Sequence, residues 1–161
     1  MFLRACQKGD IKQVKVFLSS GSPTSVDPSV DDNHALHAAS ANGHVEIVRL
    51  LLEDPRVDPS DLDNWAIRYA SSNGHPEVVQ LLLADPRVDP SVHSNYAIRL
   101  ASFYGHLKVV QLLIADPRVD PSDDNDCAIE YAKENGHTEI VDILTEYQFR
   151  LDGHEYNKNI L

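Results

Sequence analysis

The chain has 161 residues, 42% of them hydrophobic, with 14 Lys plus Arg against 25 Asp plus Glu and a formal charge of −11. That hydrophobic share supports a packed core and excludes global disorder. The acidic balance argues against nucleic acid and anionic membrane as partners, because phosphate binding needs clustered Lys and Arg; a neutral or basic protein surface is favoured.

The first six residues, Met1 to Cys6, lack the long apolar run of a signal peptide. The longest apolar stretches, such as Leu81 to Ala84, are too short to span a membrane. Cys6 and Cys127 are too far apart in a stack for a disulfide. A reducing, intracellular and cytoplasmic setting is expected.

Residues 1–25 read as a shortened opening unit. Gly9-Asp10-Ile11 followed by Val14, Val16, Phe17 and Leu18 matches Gly43-His44-Val45 followed by Val48, Leu50, Leu51 and Leu52. Ser19 to Ser25 carries three extra residues. The stretch Asp54-Pro55-Arg56-Val57-Asp58-Pro59-Ser60 then returns as Asp85 to Ser91 and Asp116 to Ser122, each copy 31 residues after the last. A fainter copy, Val26-Asp27-Pro28-Ser29, precedes them. A fixed period in this range means stacked repeats. The units run 1–25, 26–56, 57–87, 88–118 and 119–147, with a helix extension and polar tail over 148–161.

Each full unit predicts two helices. The first begins after Asn33, Asn64, Asn95 and Asp126, which recur before an Ala-rich run and are expected to cap it with a side-chain oxygen. Gly43, Gly74, Gly105 and Gly136 close it. The second helix follows, with Pro76 tolerated in the first turn and Glu46, Glu77 and Glu139 on the positive end of the dipole. Its apolar runs, Val78 to Leu83 among them, cover more than one face, as a helix between neighbours requires. Two prolines in the connector stop it and predict turns, not a paired hairpin. The last helix is expected to continue past Tyr147 to about Leu151.

The segment Ala-Leu-His-Ala-Ala-Ser-Ala-Asn-Gly-His-Val-Glu-Ile-Val-Arg-Leu-Leu-Leu, residues 35–52, resembles the ankyrin repeat signature T-P-L-H-x-A-A-x-x-G-H-x-x-I-V-x-L-L-L. The likeness recurs in tandem from Ala35 to Leu144. It implies an all-α fold: an ankyrin-type helix-turn-helix repeat solenoid of about five repeats, counting the end caps. His34-Ala35, Trp65-Ala66, Tyr96-Ala97 and Cys127-Ala128 replace the signature Thr-Pro, and the signature His stands only at His37. The hydrogen bonding between those family residues should therefore be missing. The period of 31 instead of 33 implies short finger loops, as in divergent ankyrin repeats of large DNA viruses and protists.

The resemblance further implies a non-catalytic protein-interaction module of residues 1–147. It would bind a partner protein through its finger loops and the concave face of its first helices. On those positions lie Trp65, Arg68, Val92, His93, Tyr96, Arg99, Phe103 and Tyr104. Trp, Tyr and Arg are the types most enriched in binding hot spots. Tyr69, Leu100 and Tyr131 are expected between repeats, and the acids of the fingers as a solvated edge. The alternatives are a structural, self-assembling solenoid or a substrate-recruiting adaptor of a larger complex such as a ubiquitin ligase. A monomer is expected.

No catalytic motif, cofactor or metal site is read here. His44, His75, His106 and His137 form a ladder, but metal ligation needs convergence to about 2 Å, whereas stacked helices lie ~10 Å apart. Arg56, Arg87 and Arg118 form a second ladder, expected to pair locally with Asp54, Asp58 and their copies.

Overall fold

The computed structural model describes residues 1–19 and 25–151, without the side chains of 124, 125 and 151. The extra residues of the first connector and the polar tail beyond Leu151 lie outside the described residues. Ten helices are seen among those described: α1 Phe2–Lys8, α2 Ile11–Leu18, α3 Val30–Ala41, α4 Val45–Leu52, α5 Asp61–Ser72, α6 Pro76–Leu83, α7 Val92–Phe103, α8 Leu107–Ile114, α9 Asp123–Glu134 and α10 Thr138–Leu151.

They stack in two layers. The odd-numbered helices pack side by side in one layer, and the even-numbered ones line the other. Alanines make the first layer close: Ala66 and Ala70 flank Ile67 on α5, and Ala97 and Ala101 flank Ile98 on α7, all buried. The second layer contributes Val78, Val79 and Leu82 on α6 and Val109, Val110 and Leu113 on α8. Val57, Val88 and Val119 of the connectors are buried too, so one apolar cluster runs from Ala5 to Leu144.

The turn between paired helices is closed by hydrogen bonding around glycine. Gly74 sits at φ 72°. The His75 N–H donates to Ala70 O (3.0 Å) and the Gly74 N–H to Ser71 O (3.3 Å). Those two bonds satisfy carbonyls left free at the end of α5.

Histidine then ties each turn to the one before it. Carbonyls only accept, so His44 Nε2 donates to Gln7 O (2.9 Å), His75 to Ala41 O (3.0 Å), His106 to Ser72 O (2.9 Å) and His137 to Phe103 O (3.0 Å). Each ring also lies where a Cβ on the preceding repeat's glycine would stand: a Cβ on Gly74 would come within 2.5 Å of His106 Nδ1. The histidine ladder serves the joints between repeats and does not converge on a common centre.

The arginine ladder braces the connectors in a similar way. Arg87 forks onto its own Asp85 (2.9 and 2.6 Å) and reaches back to Val57 O (2.8 Å) and Leu52 O (3.2 Å). Arg118 repeats this with Asp116, Val88 O and Leu83 O. The Arg87 fork holds the Asp85 carboxyl below the usual carboxylate range. Asp58 acts differently. It accepts from the Ser60 N–H (2.9 Å) and hydroxyl (2.7 Å), closing a turn around the buried Pro59. The local pairing expected for Asp54 is present, with Arg56 at 2.6 Å.

The fingers differ from the sequence reading. Asn33, Asn64 and Asn95 do not cap their own helices. Each closes a short left-handed turn, with Leu62, Asp63 and Asn64 at φ 49°, 55° and 56° in the third repeat. Their side-chain oxygens accept from a backbone N–H of the following repeat: Asn33 from Asp58 (2.9 Å), Asn64 from Asp89 (2.8 Å) and Asn95 from Asp120 (2.9 Å). The Asn33 amide also donates to Asp61 Oδ2 (2.7 Å). All three asparagines are buried. A partner 25 residues away outcompetes the local cap because the left-handed turn points the amide across the joint.

Candidate functional site

The finger turn decides which side chains meet solvent. Left-handed backbone costs about 1–2 kcal/mol per residue for an ordinary side chain, and Asn, Asp and His tolerate it best. The left-handed positions read Asp31-Asp32-Asn33, Leu62-Asp63-Asn64 and His93-Ser94-Asn95. The recurrent acids, and His93, are thus types suited to this conformation. Leu62 is not, yet it is held there with 49% of its surface exposed.

Arg68 and Arg99 brace these turns. Arg68 Nη2 donates to Leu62 O (2.8 Å) and Arg99 Nη2 to His93 O (2.9 Å), each six residues back. Both side chains are half-buried. His93 is exposed and stands 3.2 Å from Asp63 Oδ2 of the preceding finger. Val92 occupies the register of Asp61 and Asp123. In the neighbouring fingers, carboxylates at that register accept from Asn33 and Asn95.

Two aromatic clusters sit on the first-helix layer. On α5, Trp65 stacks on Tyr69 with centroids 3.7 Å apart and also contacts His37 of α3 at 4.8 Å. On α7, the Arg99 guanidinium lies 5.2 Å from the Tyr96 ring. Phe103 meets Tyr104 edge-on at 4.9 Å and Tyr131 of α9 at 5.8 Å. Phe103 is 38% exposed and Tyr104 52%. Trp65 and Tyr96 are half-buried.

Tyr69 corrects an expectation: it does not fill the space between repeats but is 40% exposed. It follows Trp65 by one helical turn, the i,i+4 spacing that brings rings together, so the stack was readable from the sequence. Leu100 and Tyr131 are half-buried. His37, the single signature histidine, is 3% exposed, and its Nε2 has no hydrogen-bond partner. Burial holds its imidazole below the ordinary histidine value. Cys6 is buried likewise, and burial pushes its thiol up to about 11. Both cysteines are free thiols.

Paired helices, glycine turns and short fingers in tandem define a helical-repeat solenoid, with one layer presenting a row of side chains that changes from repeat to repeat. A family model described as ankyrin repeats in three copies matches residues 2–94, more than half of the chain. The chain belongs to the ankyrin repeat family, whose members generally serve as protein-interaction modules and are typically non-catalytic. Comparison with curated proteins finds no match. Among the described residues, no helix is long and apolar enough to cross a membrane.

Proposed function

We propose that this chain binds a partner protein through its finger loops and the concave face of its first helices, without catalysis. The observation that carries this is the exposed Phe103–Tyr104 pair, continued edge-on by Tyr131. These two adjacent rings are partly open to solvent, and aromatic residues are enriched at the cores of protein interfaces. Trp65, Tyr96, Val92 and His93 extend the face toward the fingers. Arg68 and Arg99 act from behind, by fixing the turns that present those fingers.

The test is capture of partners from the native cell with the intact chain and with a Phe103→Ser/Tyr104→Asn double variant. The intact chain should retain a specific partner, and the variant should lose it by about 10-fold or more, as expected for two hot-spot aromatics. Equal recovery by a folded variant would remove the aromatic pair from the interface.

A further inference from the structure

Asparagine followed by glycine occurs three times in the chain, at Asn42-Gly43, Asn73-Gly74 and Asn135-Gly136, each time in the turn between paired helices. The pair carries a chemistry of its own. Glycine has no side chain to obstruct its backbone nitrogen, which can therefore reach the amide carbon of the preceding asparagine. The three sites share one resting geometry, with the asparagine ψ at 4°, 1° and 5°. At that angle the glycine nitrogen lies beside the asparagine's own N–H and not beside its Cβ. The turn must open before the nitrogen can attack.

We infer that Asn135 is a site of self-modification, converting to aspartate and isoaspartate through a cyclic imide, and that histidine rings hold Asn42 and Asn73 back from the same reaction. The inference does not depend on where a partner binds. In the first step the Gly136 nitrogen bonds to Asn135 Cγ and gives up its proton. The Cγ–Nδ2 bond breaks, and Nδ2 leaves with that proton as ammonia. Water then adds to either carbonyl of the imide. One opening restores the main chain with an aspartate; the other routes the main chain through the former side chain as isoaspartate. Water is the only co-reactant.

The sites differ in what lies on the glycine. Opening at Gly43 must displace the His75 ring, whose Nδ1 lies 2.6 Å from where a Cβ would stand and whose Nε2 donates to Ala41 O (3.0 Å). Opening at Gly74 must displace the His106 ring, 2.5 Å from the same point and bonded to Ser72 O (2.9 Å). Asn73 Nδ2 also reaches back a repeat, to Ala41 O (2.7 Å). At the third site the bonds stay within one repeat: Asn135 Nδ2 donates to Tyr131 O (2.9 Å) and the Gly136 N–H to Lys133 O (3.1 Å). Among the described residues nothing lies within 4 Å of a Cβ on Gly136. Asn135 and Gly136 are both exposed, whereas Gly43 and Gly74 are half-buried. A reaction that starts from an opened turn runs at a rate set by the population of that opened state. The rings add to the cost of opening at two sites and not at the third.

The product falls on a joint. The modified turn leads into His137, whose ring donates to Phe103 O (3.0 Å). A carboxylate at 135 stands at the negative end of α9 beside Glu134, and isoaspartate adds a backbone atom to the turn.

The test incubates the full chain in mildly alkaline buffer without denaturant. Peptide mass spectrometry follows the three sites, and enzymatic methylation counts isoaspartate. Asn135 should convert at least about 5-fold faster than Asn42 or Asn73, the population ratio set by one hydrogen bond. In urea, where no turn persists, the three rates should converge. His106→Ala should speed Asn73 by about 5-fold, and His75→Ala should do the same for Asn42 if the first variant folds poorly. Equal rates in the folded chain, no conversion at Asn135, or faster conversion at Asn42 or Asn73 would overturn the inference. So would a preference for Asn135 that persists in urea, or an unchanged rate at the uncovered asparagine of a folded variant.

Discussion

Asn64 and Trp65 are neighbours in the chain and belong to different regions of the molecule. Asn64 faces the next repeat, and its counterparts Asn33 and Asn95 make the same bond to the same kind of backbone N–H. Trp65 lies half-buried on the first-helix layer with Tyr69 and His37, and its counterparts are His34, Tyr96 and Cys127, no two alike. The same contrast separates His106, which repeats His75, from Tyr104, which replaces Asn73. Where a side chain must meet the adjoining repeat, stacking geometry leaves one solution. Where it meets solvent, nothing in the stack constrains it, and selection for a partner can act.

The strongest way to break this contrast is at a joint. Gly74→Ala forces a methyl into the His106 ring and an alanine into left-handed backbone. It should cost about 2–4 kcal/mol, combining ~1–2 for the backbone with the lost histidine bond. Gly136→Ala is the control: its φ is 74°, but nothing lies within 4 Å of the added Cβ, and only the backbone cost of about 1–2 kcal/mol should appear. Urea unfolding of both variants measures the difference. Equal losses would mean that the histidine rings contribute nothing to the joints.

A smaller effect is expected at the finger. Asn64→Ala leaves the Asp89 N–H without its acceptor, a loss of about 1–3 kcal/mol. Tyr104→Ser on the open layer should stay within about 0.5 kcal/mol of the parent chain. If the tyrosine change proved the costlier of the two, the division between joint and face would fail.

The smallest effect is one of pH. His37 has a folded-state pKa below the ordinary value of ~6.5, so the unfolded chain takes up its proton first. Stability should therefore fall as pH drops through about 6.5 toward the lower folded value. His37→Gln should flatten that decline. Denaturant midpoints at pH 7.5 and pH 5.5, compared between the two chains, give the answer, with the other histidines common to both.

Much of the joint was legible in the sequence, and little of the finger was. The 31-residue period, the closing glycines and the sandwiched second helices follow from local rules of turns and apolar spacing. The histidines were readable as architecture because they recur with the repeat. The asparagines misled for a physical reason. An Asn before an Ala-rich run satisfies the rule for a cap, yet its amide has a better acceptor role across the joint, visible only once the turn is known to be left-handed. Arg68 and Arg99 were legible as exposed-face residues, but not as braces for the fingers, since their acceptors are backbone carbonyls.

The histidine joint has a direction: His44, His75, His106 and His137 each reach into the unit before, where a glycine leaves room for the ring and the carbonyl two residues ahead of that glycine accepts from it. A joint of this head-to-tail kind is not self-complementary: the half offered forward differs from the half offered back. The array is therefore additive in length, and a duplicate of residues 57–87 inserted after Arg87 would arrive with both halves of the joint already in place. Because each ring reaches only one unit back, the direct effect of a change at one ring falls on that joint alone.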